Sequence, residues 1–210
     1  MMNDATPITP PHGFAYRTNP GYESMRRVVD VVVSCVALVA IAPLLAAAAL
    51  AIKLDDGGPI FFTQRRVGRF GRLFAMHKLR TMRTAGCGDA LKPSSSRDAR
   101  ITRVGAHLRR LSIDELPQLF NVLRGDMTLV GPRPEMPFIV RQYEPWQQLR
   151  HFAPPGITGL WQVTCRSTIP LQHPEATALD VEYVRSESTF TDGAILFKTV
   201  WALFSARGAY

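Results

Sequence analysis

An uncharged, apolar run of 22 residues near the N-terminus constrains the fold most; it extends from Val31 to Ile52 and has Pro43 near its middle. About 20 consecutive apolar residues match the hydrocarbon core of a bilayer, so a segment of this length predicts a membrane-embedded helix. A proline in a helix interior removes a hydrogen-bond donor and clashes with the preceding turn, which predicts a kink or a break at Pro43.

Basic residues flank the run on both sides. Arg26 and Arg27 precede it, and Lys53 follows it directly. Seven further cations come before residue 84, namely Arg65, Arg66, Arg69, Arg72, Lys78, Arg80 and Arg83. Basic residues beside a membrane segment favour the cytoplasmic side. A straight span would place one flank on the opposite side, whereas a re-entrant helix–break–helix returns both flanks to the cytoplasm. We therefore favour a re-entrant anchor over residues 25–53, with a transmembrane span as the alternative.

The rest of the 210-residue chain is long enough for one cytosol-facing domain with its own core, over residues 54–210. Residues 1–24 are polar and contain prolines, and we expect them to form a mobile tail. The net charge of +8 suits nucleic acid, anionic lipid or phosphorylated substrates. Beside a membrane segment, lipid headgroups and phosphates are favoured over DNA. The 3 cysteines form no metal-binding or disulfide pattern, which is typical of a reducing compartment.

The domain is predicted to be α+β and mainly helical. Aromatic and branched residues in 60–67 and 73–82, separated by a loop with two glycines, predict a basic β-hairpin. Apolar periodicity predicts helices over residues 102–110, 114–123, 137–152, 174–186 and 192–205. The last of these is strongly apolar but, at about 21 Å, too short to cross a bilayer of about 30 Å. It belongs either to the core or to the membrane interface.

Asp114 and Glu115 open the second predicted helix, and their position has two interpretations. Ser112 and Glu115 have the spacing of a capping box, and Asp114 could itself be the N-cap. Alternatively, a carboxylate at a helix N-terminus stays ionised and can attack phosphorus, while the neighbouring glutamate holds a metal ion or manages a proton. Arg109 and Arg110 precede the pair and suit an anionic ligand. Both interpretations stay open on spacing alone.

Cations in two other segments could bind phosphate. Arg133 lies between Pro132 and Pro134, which predicts a rigid turn that presents its guanidinium for bidentate binding. Lys78 and Arg80 alternate with apolar residues along the hairpin. The alternatives are an ordinary turn with a surface arginine and a solvated or lipid-facing charged strand.

The segment Pro155-Gly156-Ile157-Thr158-Gly159 precedes Trp161. Its two glycines allow a backbone to approach a ligand closely, or they form a buried turn beneath a core tryptophan. The sequence contains no Walker A loop, no dinucleotide-binding fingerprint, no metalloprotease histidine pair and no nucleophile elbow.

In combination, these segments resemble the bacterial sugar transferase family, the monotopic polyprenyl-phosphate phosphoglycosyl transferases. The resemblance extends from about Arg26 to the C-terminus and is to the small members that consist of the catalytic unit alone. It rests on an ordered series of matches: Phe61-Phe62-Thr63-Gln64-Arg65-Arg66-Val67-Gly68, Lys78-Leu79-Arg80-Thr81-Met82, Asp114-Glu115-Leu116-Pro117-Gln118-Leu119, Gly125-Asp126-Met127, Gly131-Pro132-Arg133-Pro134 and Pro155-Gly156-Ile157-Thr158-Gly159.

The resemblance implies a reaction in two steps at the cytoplasmic face of the bacterial inner membrane. The carboxylate of Asp114 would attack the β-phosphorus of a nucleotide sugar, with a UDP-sugar expected, and expel the nucleoside monophosphate. Undecaprenyl phosphate would then remove the sugar phosphate from the enzyme, as the first membrane step of lipid-linked glycan or exopolysaccharide synthesis.

The resemblance also implies the rest of the site. Asp114 and Glu115 would hold Mg²⁺, and the break in the anchor would lie at Pro43. The cations expected to bind the phosphates are Lys78, Arg80, Arg110, Arg133 and Arg166. Membrane lipid is an expected partner and nucleic acid is not. The alternative functions are a glycosyl transferase that releases UDP and a membrane-anchored, non-enzymatic binder of nucleic acid or anionic lipid.

Overall fold

The computed structural model describes Ile8, Tyr16 and residues 19–83, 98–165, 168–171 and 173–204. The fold is mainly helical, as expected, with two small two-stranded sheets, of which the hairpin was predicted and the other was not. The helices are α1 Pro20–Asp56, α2 Arg103–Arg110, α3 Gln118–Arg124, α4 Pro137–Val140, α5 Leu160–Thr164, α6 Pro174–Ser186 and α7 Thr189–Phe204. The strands are β1 Phe61–Val67, β2 Leu73–Leu79, β3 Thr128–Val130 and β4 Gly156–Thr158. Short 3₁₀ helices cover Arg69–Gly71, Ile113–Glu115 and Gln147–Phe152.

The apolar run lies within α1, a helix of 37 residues. Its side-chain N-cap is Asn19, and it ends at Gly57, whose φ of 71° is the left-handed conformation common after helices. Residues 20–24, expected in the tail, form its first turns. Pro43 lies inside this single helical element, so the expected division into two helices is not seen as an interruption. Among the described residues, α1 is the one helix long and apolar enough to cross a membrane.

One face of α1 contacts the domain along its whole length. Its most buried residues recur at helical spacing on both sides of Pro43 and are Tyr22, Asp30, Ser34, Ala48 and Ile52. Between them, Ala37, Leu38, Ile41 and Leu45 pack against the two main core clusters. The opposite face is apolar and exposed, with Val36 66% and Val39 78% accessible. An apolar outer face of this kind is compatible with membrane anchoring.

Polar contacts fasten both ends of α1 to the domain. Near its start, Arg27 donates to the carbonyl oxygens of Val122 and Leu123 at 2.5 and 2.6 Å. At its end, the carboxylate of Asp56 accepts hydrogen bonds from Arg80.

The predicted hairpin is confirmed. Strands β1 and β2 pair antiparallel, with Phe61 opposite Leu79 and Val67 opposite Leu73. The second strand ends three residues earlier than expected, and Met82 forms only an isolated bridge with Ile101.

The helix expected over residues 137–152 is wrong as a single element. The structure has α4 of 4 residues, a turn, and a 3₁₀ helix over Gln147–Phe152. Pro145 lies in the intervening turn and disfavours helical geometry at the residue before it. Helix α6 has the predicted limits, and α7 begins three residues before its expected start.

Helix α7 has an inner apolar face that belongs to the core and an outer apolar face that is exposed. Ile195 is 2% exposed within the main core, which joins residues of β2, α3, β3 and α6. Phe197 and Trp201, four residues apart on the other side, are 73% and 69% exposed.

Candidate active site

Asp114 and Glu115 lie on the 3₁₀ turn between α2 and α3, and neither acts as a helix cap. Ser112 has a φ of 55° and makes no side-chain capping bond. Helix α3 begins after Pro117, also without a side-chain cap. The helix-start interpretation of the acidic pair is therefore wrong, and both carboxylates are available for other contacts.

Glu115 brings together two of the predicted cations. Lys78, from β2, donates to Oε1 of Glu115 at 2.9 Å. Arg133 donates through Nη1 to Oε2 at 3.2 Å and through Nη2 to Oε1, which is a bidentate contact. Burial alone would raise the pKa of Glu115, but the charges of Arg133 and Lys78 outweigh it and hold the pKa well below its usual range. Glu115 is therefore ionised, and its carboxylate orients both cations.

Asp114 has the opposite character. It is 9% exposed, and no hydrogen bond or ion pair joins it to another residue in the part of the chain that the structure describes. Burial and the neighbouring charge of Glu115 raise the pKa of Asp114, whereas the charges of Lys78, Arg109 and Arg133 oppose that rise. A buried carboxyl group beside cations, with no bond to them, has a free oxygen and can act as a nucleophile when it is ionised.

Helix α2 contributes a charge near Asp114 through Arg109, the neighbour of the predicted Arg110. Arg109 is near enough to Asp114 for its charge to lower the pKa of that carboxyl. Arg110, the predicted residue, is exposed at the last position of α2. The family resemblance implied Arg110; in the structure, the left-handed backbone at Ser112 leads into the tighter 3₁₀ turn that carries the acidic pair.

One other predicted cation, Arg80, is not in this group. Arg80 is 5% exposed, and it donates to Asp56 of α1 and to the carbonyl oxygens of Pro59 and Met82. It joins the hairpin to the long helix. Arg166 lies outside the described residues.

Arg66, which the sequence reasoning did not select, lies beside the group. It is 5% exposed, donates to Gln64 at 2.7 Å and contacts Glu135 at 3.5 Å. Burial lowers the pKa of Arg66 to about 10, with Glu135 opposing this change and Arg133 adding to it. The alternation of side chains along the strands could have indicated Arg66, because in the observed register Arg66 and Lys78 lie on the same face of the hairpin.

Close backbone packing supports the turn that carries Arg133. Strands β3 and β4 pair in parallel, with Val130 opposite Thr158. A Cβ on Gly156 would lie 2.1 Å from the backbone nitrogen of Gly131, and one on Gly159 would lie 2.2 Å from its carbonyl oxygen. The glycines of this segment therefore admit another backbone rather than a ligand. Trp161 is 5% exposed beside them, which confirms the buried-turn alternative.

The donor set for a divalent ion is small. No group of three or more His, Cys, Asp or Glu side chains with metal-binding placement occurs among residues 19–83, 98–165, 168–171 and 173–204. Both oxygens of Glu115 already accept bonds from cations. Magnesium ions are commonly held by one or two carboxylates together with substrate phosphates. The site fits Mg²⁺ on that basis, with Asp114 as the protein ligand and phosphate oxygens as the others.

The chain belongs to the bacterial sugar transferase family, since a sequence model described as bacterial sugar transferase matches residues 21–206. The resemblance found in the motifs is thereby confirmed. Among curated relatives, a UDP-glucose:undecaprenyl-phosphate glucose-1-phosphate transferase of Caulobacter vibrioides is 43% identical over 192 residues, covering 88% of this chain and 72% of that protein. The exopolysaccharide production protein ExoY of Sinorhizobium fredii is 36% identical, with 88% of each chain covered.

Some relatives are much longer. An undecaprenyl-phosphate glucose phosphotransferase of Komagataeibacter xylinus is 42% identical, but the match covers 37% of that protein. For an N-acetylgalactosaminephosphotransferase of Aeromonas hydrophila the match covers 46% of its length. The chain thus spans less than half of these two relatives.

Proposed function

We propose that this protein transfers a sugar 1-phosphate from a UDP-sugar to undecaprenyl phosphate and releases the nucleoside monophosphate. The names of its relatives support this proposal, because they include transferases of glucose 1-phosphate to that lipid. The placement of Asp114 supports it most directly. It is the one acidic side chain of the site that is buried beside cations without a bond to them.

The first step is an attack by a carboxylate oxygen of Asp114 on the β-phosphorus of the donor. A new acyl-phosphate bond forms, and the bond from the β-phosphorus to the bridging oxygen breaks, so the nucleoside monophosphate leaves with that electron pair. Arg133 and Lys78, oriented by Glu115, lie where charge develops on the phosphoryl oxygens and stabilise it. In the second step, a phosphate oxygen of undecaprenyl phosphate attacks the same phosphorus and frees Asp114.

A Mg²⁺ ion held by Asp114 and the substrate phosphates would offset further negative charge during phosphoryl transfer. The residues of the chain provide orientation and charge around it, because Glu115 holds the two cations Lys78 and Arg133.

We further propose that α1 is a re-entrant anchor in the inner membrane and that the domain lies at the cytoplasmic face. Residues 27–56 would extend about 44 Å as a straight helix, more than the bilayer core of about 30 Å. A straight span of that length would place its two ends on opposite sides of the bilayer. In the structure, Arg27 and Asp56, near the two ends, both bind the same domain. A helix whose two ends contact one water-facing domain has both ends on one side of the bilayer. A polyprenyl phosphate in the membrane and a nucleotide sugar from the cytosol can then meet at the same site.

The reaction is tested with purified protein in nanodiscs and a panel of UDP-sugars. The wild type should release UMP and, without acceptor, carry a sugar phosphate on Asp114 that is detectable by mass spectrometry. Asp114→Asn should abolish both signals, whereas Asp98→Asn, which changes a surface pair with Arg100, should retain them. Release of UDP would instead show an ordinary glycosyl transferase. Absence of turnover, together with DNA binding that weakens with salt, would favour a non-enzymatic binder.

The topology is tested by labelling single cysteines in intact cells and in inverted membranes. Pro20→Cys and Arg65→Cys should both react only from the cytoplasmic side, and Val39→Cys should be protected from water-soluble reagents. Reaction of Pro20→Cys from the outer side would show a true transmembrane span.

A further inference from the structure

The backbone around Arg133 is not fully fixed by its neighbouring prolines. Each proline fixes its own φ, and Pro134 also restricts the ψ of Arg133. The φ of Arg133 is fixed by neither proline, so contacts to its main chain help to set the position from which its side chain extends. The carbonyl oxygen of Arg133 receives such a contact: Nη2 of Arg150 donates to it at 2.6 Å.

Arg150 is itself held from two other directions. Its side chain is 1% exposed, in the 3₁₀ helix Gln147–Phe152. The same Nη2 donates to Asp180 of α6 at 2.5 Å, and Nη1 donates to the hydroxyl of Tyr143 at 2.7 Å. The planar guanidinium thus joins α6, the turn before the 3₁₀ helix and the turn of Arg133.

A contribution to fold stability does not by itself explain why a bonded arginine is buried at this position. Burying an ion pair costs desolvation that its attraction often only balances, and apolar side chains of similar size stabilise a core at least as well. The Nε of Arg150 is also buried without a partner in the described part of the chain, which adds a further cost. A buried, multiply bonded arginine does, however, fix the relative positions of the groups that it bonds.

We propose that Arg150 is a positioning residue for phosphoryl transfer: it holds the main-chain oxygen of Arg133 and thereby aims the Arg133 guanidinium at Glu115 and the donor phosphates. This inference rests on the proposed function. It adds a residue that touches neither substrate nor the acidic pair, and it makes Asp180, on the far side of Arg150, part of the support of the site.

The first test is Arg150→Lys, because one ammonium nitrogen cannot occupy both the Nη1 and the Nη2 positions from which the guanidinium reaches its three acceptors. A misplacement of about 1 Å at a catalytic group can cost about 100-fold in rate. The single-turnover rate of sugar phosphate transfer to Asp114 should therefore fall by about 10- to 100-fold, while the KM for the donor changes by less than about threefold. Arg141→Lys, at an exposed position, is the matched control and should behave as wild type.

A double-mutant cycle separates positioning from general support of the fold. If Arg150 acts through the side chain of Arg133, Arg150→Lys should have less than about a twofold effect in an Arg133→Ala background, where no guanidinium remains to be aimed. Long single-turnover incubations read by mass spectrometry make the low residual rates measurable. An equal loss in both backgrounds, or wild-type turnover of Arg150→Lys alone, would overturn the proposal.

A further variant covers the case in which Arg150→Lys does not fold. Asp180→Asn keeps an acceptor for Arg150 but removes its charge, so the same non-additive pattern with Arg133→Ala is expected at smaller size. Failure of wild-type protein to release any nucleoside monophosphate would refute the proposed function, and the inference with it. Wild-type activity with an additive cycle would refute the inference alone.

Discussion

Gly156→Ala should disrupt the support of Arg133 by forcing two backbones apart. The new Cβ would lie 2.1 Å from the nitrogen of Gly131, whereas ordinary contacts begin at 3.4 Å, so the segments must separate by about 1.3 Å. The backbone hydrogen bonds that join them include three outside the strand ladder: the N–H groups of Thr128, Gly131 and Gly156 donate to the carbonyl oxygens of Pro155 at 2.9 Å, Thr158 at 2.8 Å and Pro132 at 2.9 Å. At about 1 kcal/mol each, their loss costs about 3 kcal/mol.

This loss should be visible in both stability and activity. For a chain of this size, about 3 kcal/mol corresponds to a fall in Tm of about 6–12 °C, measured by tryptophan fluorescence in nanodiscs. Because the displaced backbone leads directly into Arg133, UMP release should fall by about 100-fold. The matched control is Gly193→Ala in α7, where nothing lies within 4 Å of the new Cβ. It should raise Tm by about 2–4 °C through helix propensity. A Gly156→Ala variant with wild-type Tm and turnover would refute the reasoning.

Two further predictions concern the charge of the nucleophile and the outer face of α7. Asp114 must be ionised to attack, and its pKa is raised, so kcat/KM should fall as the pH drops through that raised pKa. Arg109→Gln removes a cation that opposes the rise and should move this acid limb to higher pH, whereas Arg110→Gln should leave its position unchanged; equal shifts would contradict the assignment. In nanodiscs with brominated lipids, the fluorescence of Trp201 should be quenched and that of buried Trp161 should not, measured in variants that keep one tryptophan each. Equal quenching of the two would show that α7 does not face lipid.

The sequence was sufficient for the parts of the site that short-range patterns define. Asp114, Glu115, Lys78 and Arg133 were selected from motifs, and the structure brings the last three together in one bonded group. The limits of α6 followed from apolar periodicity. In each case, neighbouring residues in the chain carry the information.

The differences between the expected and the observed surroundings of the site share a physical cause, which is backbone geometry that local spacing does not reveal. Ser112 is left-handed and leads into a 3₁₀ turn, and Arg109, not the predicted Arg110, is among the charges that lower the pKa of Asp114. Arg80 follows the last residue of β2, and its partner Asp56 belongs to the distant end of α1. Neither the turn nor this long-range pair has a signature in the spacing of charged residues.

The parallel pairing of β3 and β4 was missed for a related reason. Each strand has only 3 residues, which is too short for an alternating pattern, and the partners are separated by a long segment of chain. Gly131, Gly156 and Gly159 were the available signal, since each permits an approach that a Cβ would prevent. Sequence reasoning assigned that approach to either a ligand or a buried turn, and only the contacts distinguish the two.

Both ends of the long helix α1 contact segments that lead into the site. Arg27 binds the last carbonyl groups of α3, the helix that follows the acidic pair. At the other end of α1, Asp56 binds Arg80, two residues after Lys78. Helix α1 therefore holds, at separate points, the helix that follows Asp114 and Glu115 and the end of the strand that carries Lys78. If α1 is the membrane anchor proposed above, a change in its position in the bilayer would act on both of these segments, and the membrane would then help to determine the geometry of the site.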